Sequence, residues 1–189
     1  MNTELKLFQR WPNFLDNTVA GGISAGATPL ESILRECAEE ASFDADFVRE
    51  AVKSTGIVSY GYRTEGGWIQ PEVEYVYDLE LPAPTLLEGS TIHTLDQSLD
   101  PKSLPTSTYT ADSIIPRPNP LDNEVASFHL ISLTKCIELA LAGHFKPNCA
   151  LVLVDFAIRH GEISFENDNR YVEICRRMKG DIGGLPGPI

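Results

Sequence analysis

Positive charge is scarce in this 189-residue chain, where 15 Lys and Arg stand against 27 Asp and Glu for a net charge of −12. That balance argues against a general nucleic-acid or anionic-membrane surface, since both are held through cationic side chains. Long apolar runs are missing as well. The longest nearly apolar run, Cys149 to Val154, is far too short to cross a bilayer. C-x-x-C spacing is absent, and Cys37, Cys136, Cys149 and Cys175 are scattered, so reduced, packed thiols are expected in place of a zinc site or a disulfide framework. None of the four histidines has ligand spacing to another, which leaves histidine–metal chemistry without support. The N-terminus does not resemble a signal peptide, and the cytoplasm is the expected compartment. No internal repeat is present.

What remains is a chain with an ordinary apolar fraction of 42%, long enough for one domain with a real core. Leu5 to Phe8 and Thr18 to Ala20 read as short strands, the second ending in the tight bend Gly21-Gly22. A helix is expected over Asp44 to Ser54, then a strand Ile57 to Arg63, a turn at Glu65-Gly66-Gly67 and a second strand Trp68 to Leu81. On that strand Val73, Tyr75, Tyr77 and Leu79 alternate with Glu72, Glu74, Val76, Asp78 and Glu80, a mixed face suited either to a ligand cleft or to solvent. Residues 82–120 are rich in Pro, Ser and Thr and read as a long flexible loop. Asp122 to Leu133 is strand-like, Thr134 to Ala142 helical, Cys149 to His160 a helix apolar nearly all round and therefore buried, and Glu166 to Met178 a last helix. The expectation is a single domain over 1–178 with a free tail at 179–189.

The most informative stretch is Gly21 to Phe43, GGISAGATPLESILRECAEEASF. Thr28, Pro29 and Glu31 supply a Thr cap, a Pro at the first helical position and a Glu three residues past the cap, which together make a capping box. Leu30, Ile33, Leu34, Cys37, Ala38 and Ala41 recur at the helical period and form the core face. Glu36, Glu39 and Glu40 fall on the other side, within an arc of roughly 100° at 100° per residue, so their oxygens are expected to converge on one ion. Arg35 is four residues from both Glu31 and Glu39 and is expected to pair with both. Clustered carboxylates suit hard cations such as Mg²⁺ or Mn²⁺, which share their coordination sphere with substrate phosphates. A solvated acidic face is the ordinary reading of a Glu-rich helix; the glycines set this one apart.

This segment resembles the box of the Nudix hydrolases, G-x5-E-x7-R-E-U-x-E-E-x-G-U with U a bulky aliphatic residue, Gly21 taking the first position and Arg35-Glu36-Cys37-Ala38-Glu39-Glu40 the R-E-U-x-E-E core. Ala27 stands where the family has its first Glu, Ser42 where it has its late Gly, and Cys37 and Phe43 occupy the U positions. Further stretches resemble one branch of the family, the domain related to fungal thiamine pyrophosphokinase. They are Trp11-Pro12, Leu15 to Gly22, Tyr75 to Pro82, Glu124 to Phe128, and Phe145 to Gly161, FKPNCALVLVDFAIRHG. Relative to that branch the chain looks shortened at its start.

The resemblance implies an α/β (α+β) fold, a Nudix-like mixed β-sheet sandwiched between helices. It also implies metal-dependent hydrolysis of a diphosphate, thiamine diphosphate or its oxo and oxy forms going to the monophosphate and phosphate. Glu36, Glu39 and Glu40 would hold Mg²⁺ or Mn²⁺ with Arg35 beside them, and Glu124 would be an auxiliary ligand or base, its other reading being a surface glutamate. Gly21 and Gly22 would line the substrate, Arg63 would meet the terminal phosphate, and Tyr60, Tyr62, Trp68 and Tyr75 would stack on its organic half, core packing being the ordinary role of any one aromatic. Arg159 and His160 end a helix and read first as structural. The expected partner is a small-molecule diphosphate, with no nucleic-acid polymer and no membrane; oligomeric state is left open. Two other functions stay open: a phosphatase for oxidised nucleoside diphosphates such as 8-oxo-dGDP, and a degenerate Nudix domain that binds without turnover.

Overall fold

The computed structural model of the chain describes residues 14–82, 114–122 and 124–178. The readings for Leu5 to Phe8, for Trp11-Pro12, for most of the loop and for the tail lie outside the described residues. Helix α1 runs Pro29–Ala41 and α2 Ala45–Ala51; strands β1, Val52–Arg63, and β2, Ile69–Leu79, follow; then come α3, Leu133–Leu141, α4, Pro147–Arg159, and α5, Tyr171–Met178. The class is α+β, as expected. Among the described residues the sheet is one antiparallel pair, registered from Val52 opposite Leu79 to Arg63 opposite Ile69.

The start of α1 has its cause in three residues. Thr28 Oγ1 accepts from the Glu31 backbone N–H, the Glu31 carboxylate accepts from the Thr28 N–H at 2.7 Å, and Pro29 opens the helix. Both orphan donors are thereby satisfied. The helix ends on Ser42 at φ 55°, ψ 30°, whose N–H donates back to the Cys37 carbonyl. Ser42 thus adopts the left-handed conformation that glycine takes without penalty, which accounts physically for the glycine of the motif at this position. Ser42→Gly is expected to stabilise the fold by about 1 kcal/mol and raise the melting midpoint by roughly 2–4 °C in a thermal scan.

Asp44 caps α2 through the N–H groups of Asp46 and Phe47, and the helix stops sooner than the sequence suggests because the chain from Val52 onward pairs with β2, Val52 opposite Leu79. Leu34, Cys37, Ala41, Phe43 and Val48 form one core cluster, against which Val52 and Leu79 pack from the sheet. A second cluster, Val58, Val76 and Met178, gathers Leu151, Val152, Val154 and Ile158 of α4 and Ile174 of α5. Both clusters draw on the ladder, so helices α1 and α2 cover one part of it and α4 and α5 another.

Several expectations are corrected here. Thr18 to Ala20 is irregular, and Leu15 alone makes a parallel bridge, to Phe145. The Asp122 to Leu133 stretch carries no strand among its described residues, and Leu133 already belongs to α3. Helix α4 is not wholly buried: only Cys149 and Ala157 are, the other positions being half-buried apart from exposed Pro147, because sheet, α3 and α5 cover it on parts of its circumference. Helix α5 begins at Tyr171 rather than Glu166.

The mixed face of β2 is taken up by α4 in place of an open cleft. Val76 is core, Asp78 accepts two bonds from Arg159, and the Glu74 carboxylate accepts from Asn148 Nδ2 at 2.9 Å. Burial opposes ionisation of Asp78, but the Arg159 bonds and charge hold its carboxyl below the ordinary range. Arg159 also bonds Asp155, and His160 stacks on Phe156 with ring centroids 4.0 Å apart, so both are structural.

Candidate active site

The acidic face of α1 is served by three partners. Arg35 lies between two of its acids, Nη2 at 2.6 Å from Glu36 Oε1 and Nη1 at 2.6 Å from Glu39 Oε2, and also donates to the Gly22 carbonyl at 3.4 Å. The pairing of Arg35 with Glu31 is not present, because Glu31 is turned onto Thr28. Glu40 Oε2 accepts from the Ala20 N–H at 3.1 Å. The glutamates therefore do not converge as expected, and among the described residues no three His, Cys, Asp or Glu side chains form a metal-holding group. The guanidinium supplies the cation that draws Glu36 and Glu39 to itself, while a backbone donor draws Glu40 away.

The electrostatics still concentrate on Glu40. Burial pushes its carboxyl up to about 7, against the Ala20 N–H which lowers it, and the charges of Glu36, Asp16 and Glu124 push it further up. Asp16 and Glu124, from outside the helix, thus bear electrostatically on Glu40 without forming a cluster with it. Carboxylate oxygens are the donor type that a hard divalent cation takes, though in this structure the described ones are not gathered around one point. Glu124 lies on irregular chain and not on the expected strand, and its charge bears on Glu40.

The glycine bend meets the same face. An added Cβ at Gly21 would stand 2.1 Å from the Glu36 carboxylate, whereas at Gly22 it would meet nothing within 4 Å. Gly21 is thus required for close approach; Gly22 contributes its carbonyl.

The substrate-side residues are not brought to α1. Val52 and Leu79, which pack on the α1 and α2 cluster, lie at one end of the ladder, and Arg63 at the other, about 35 Å away at roughly 3.3 Å per residue. Trp68 sits in the hairpin beyond Arg63, 78% exposed. Tyr60 donates to Glu72 and, at 2.9 Å, to Glu74; Tyr62 donates to Glu72 at 3.0 Å. These rings are thereby fixed on the sheet by carboxylates. Tyr75 is half-buried opposite Ile57.

Sequence reasoning passed over Asp16 and Lys146. Lys146 Nζ makes an ion pair with Asp16, and Cys149 Sγ donates to Asp16 Oδ1 at 2.7 Å. Both residues fall in stretches whose resemblance was noted, but a contact 130 residues apart leaves no trace in periodicity. A depression lined by Phe165 to Arg170 lies on the connection between α4 and α5 and takes no residue from α1.

No family model matches the chain. It is 38% identical over 183 residues to an uncharacterized protein of Saccharomyces cerevisiae, covering 92% of this chain and 44% of that protein. It is 29% identical over 170 residues to Nudix hydrolase 24, chloroplastic, of Arabidopsis thaliana, and 28% identical over 170 residues to Nudix hydrolase 20, chloroplastic, of the same plant. Each plant alignment covers 89% of this chain, and 37% and 36% of the respective relatives. The chain spans less than half the length of the relatives it matches. By these alignments the chain is similar in sequence to two plant Nudix hydrolases.

Proposed function

We propose that the chain hydrolyses a diphosphate linkage in a small molecule, and that the acidic face of α1 is where it does so. The observation that carries this reading is the geometry of the α1 acidic face, with Glu36 and Glu39 held by Arg35, Glu40 held by the Ala20 N–H and Gly21 lying against Glu36; burial and neighbouring acids also raise the half-buried Glu40 carboxyl to about 7. Packing like charges around a buried acid costs stability, and a fold retains such an arrangement where anionic oxygens are needed to attract positive charge. Glu36, Glu39 and Glu40 are the residues that would hold Mg²⁺ or Mn²⁺, an ion which when bound neutralises charge on phosphate oxygens. The chain's own part is positioning. Arg35 fixes the directions of Glu36 and Glu39, the Ala20 N–H fixes Glu40, and Gly21 admits Glu36 against the backbone.

Thiamine diphosphate or its oxo and oxy forms are the proposed substrates, on the branch resemblance of Leu15 to Gly22 and Phe145 to Gly161. Oxidised nucleoside diphosphates are the second choice within the same chemistry. A binding module without turnover is favoured by one observation, the double engagement of Arg35 with Glu36 and Glu39. One assay separates the three. Protein with Mg²⁺ or Mn²⁺ is offered thiamine diphosphate, its oxo and oxy forms and 8-oxo-dGDP, and released phosphate is measured. Release from the thiamine compounds is the expected result; release from 8-oxo-dGDP alone favours the nucleotide reading, and none from any favours binding without turnover.

A further inference from the structure

A diphosphate that reaches the acidic face must be received by a cation there, and Arg63 is at the far end of the ladder. Among the described residues Arg35 lies on this face, and Lys146 joins it through the chain that starts at Leu15. Arg35 is committed to Glu36, Glu39 and the Gly22 carbonyl. Lys146 immediately precedes α4, its N–H donates to the Leu15 carbonyl at 3.0 Å, and the Leu15 N–H donates to His144 at 2.8 Å. Residues 15–22 then form a strap that leaves Lys146 and reaches α1, where Ala20 bonds Glu40, Gly21 abuts Glu36 and Gly22 accepts from Arg35. The Lys146 side chain is 32% exposed and pairs with Asp16, whose carboxylate also takes the Cys149 thiol. Glu40 lies within the field of both Asp16 and Lys146. An ammonium carries three donors, so one pairing with Asp16 leaves Lys146 able to bind an anion as well.

We propose that Lys146 receives the terminal phosphate of the diphosphate, and that Asp16 is the positioning residue that holds its ammonium at the edge of the acidic face. A flexible stem ending in a compact charge suits this task, because it follows a phosphate without demanding bidentate geometry. Asp16 takes one of the ammonium's donors and fixes its place beside the start of α4. This inference rests on the diphosphate-hydrolase reading above.

The test compares Lys146→Met, Lys146→Arg and Asp16→Asn with the unaltered chain, by steady-state kinetics on whichever diphosphate is turned over and by calorimetric titration with inorganic pyrophosphate in Mg²⁺. Lys146→Met is expected to raise KM and weaken pyrophosphate binding about tenfold, the ordinary size of a charge-assisted hydrogen bond, with kcat changed far less. Lys146→Arg restores most of the loss, since the positive charge is kept. Asp16→Asn gives a smaller rise in KM, and adding it to Lys146→Met costs nothing further, as members of one pair are not additive. Unchanged KM and pyrophosphate affinity in Lys146→Met overturn the inference, as does an Asp16→Asn effect that persists undiminished in the Lys146→Met background. If Lys146→Met does not fold, Lys146→Gln takes its place, and its KM and pyrophosphate affinity are read against the same two outcomes. Glu39→Gln separates the two levels: if it keeps full turnover, the acidic-face reading has failed; if it loses turnover while Lys146→Met behaves like the parent, only the phosphate assignment has.

Discussion

Glu39→Gln and Glu40→Gln are each expected to lower turnover at least a hundredfold, about 3 kcal/mol of transition-state stabilisation. The substitution is nearly isosteric, so the effect isolates charge. Gln at 40 retains a side-chain oxygen to accept from the Ala20 N–H, and removing a carboxyl raised to about 7 relieves its repulsion with Glu36, Asp16 and Glu124. Its fold is therefore expected to be unharmed. Gln at 39 loses the ionic component of the Arg35 contact, but that side chain is 49% exposed, where an ion pair contributes at most about 1 kcal/mol. A large drop in phosphate release without a matching drop in the melting midpoint is thus the signature of a site. The check is initial-rate phosphate release in Mg²⁺ or Mn²⁺ beside a thermal melt of each variant. Parental rates in both variants would place the chemistry elsewhere on the molecule.

The contrast between α1 and its surroundings explains what was legible in the sequence. The capping box is set by residues within three positions of one another, and the apolar stripe follows the helical period, with Leu34, Cys37 and Ala41 buried as expected and Leu30, at the first turn, exposed. The hairpin between β1 and β2 is of the same kind, with Gly67 at φ 84° closing the turn. The directions of the glutamate side chains were not legible. Glu36, Glu39 and Glu40 do share a face, but which way each carboxylate points is decided by Arg35 and by the Ala20 N–H of a strap twenty residues upstream. Longer-range partners were beyond reach altogether. Asn148 on Glu74, Lys146 on Asp16 and Arg159 on Asp78 join segments more than seventy residues apart. Neither open reading of the β2 face, ligand cleft or solvent, describes Glu74 and Asp78, since helix α4 supplies the polar partners that these two carboxylates demand as they leave water.

Gly21→Ala tests the arrangement from the opposite side, by moving a carboxylate and keeping its charge. Gly21 is not among the positive-φ glycines, so alanine can adopt its backbone conformation and the change in chain entropy favours the folded state slightly. The new methyl, however, would stand 2.1 Å from both Cδ and Oε1 of Glu36. Those atoms are the far end of a flexible side chain, and rotating them aside costs little. What the rotation removes is the alignment of Glu36 with Arg35, whose other end holds Glu39. Two acids are therefore disturbed by one methyl group. A misplacement of about 1 Å at a positioned group costs on the order of 10²-fold in rate, and a loss of that size is expected here with a melting midpoint close to the parent's. Phosphate-release rates and a thermal scan on the same preparation measure both. Gly22→Ala is the internal control, because its Cβ would project into open space. If Gly21→Ala and Gly22→Ala are equally active, the close approach of the strap to Glu36 has no part in turnover. If the first is crippled and the second is not, the glycine of the motif is there for the carboxylate behind it.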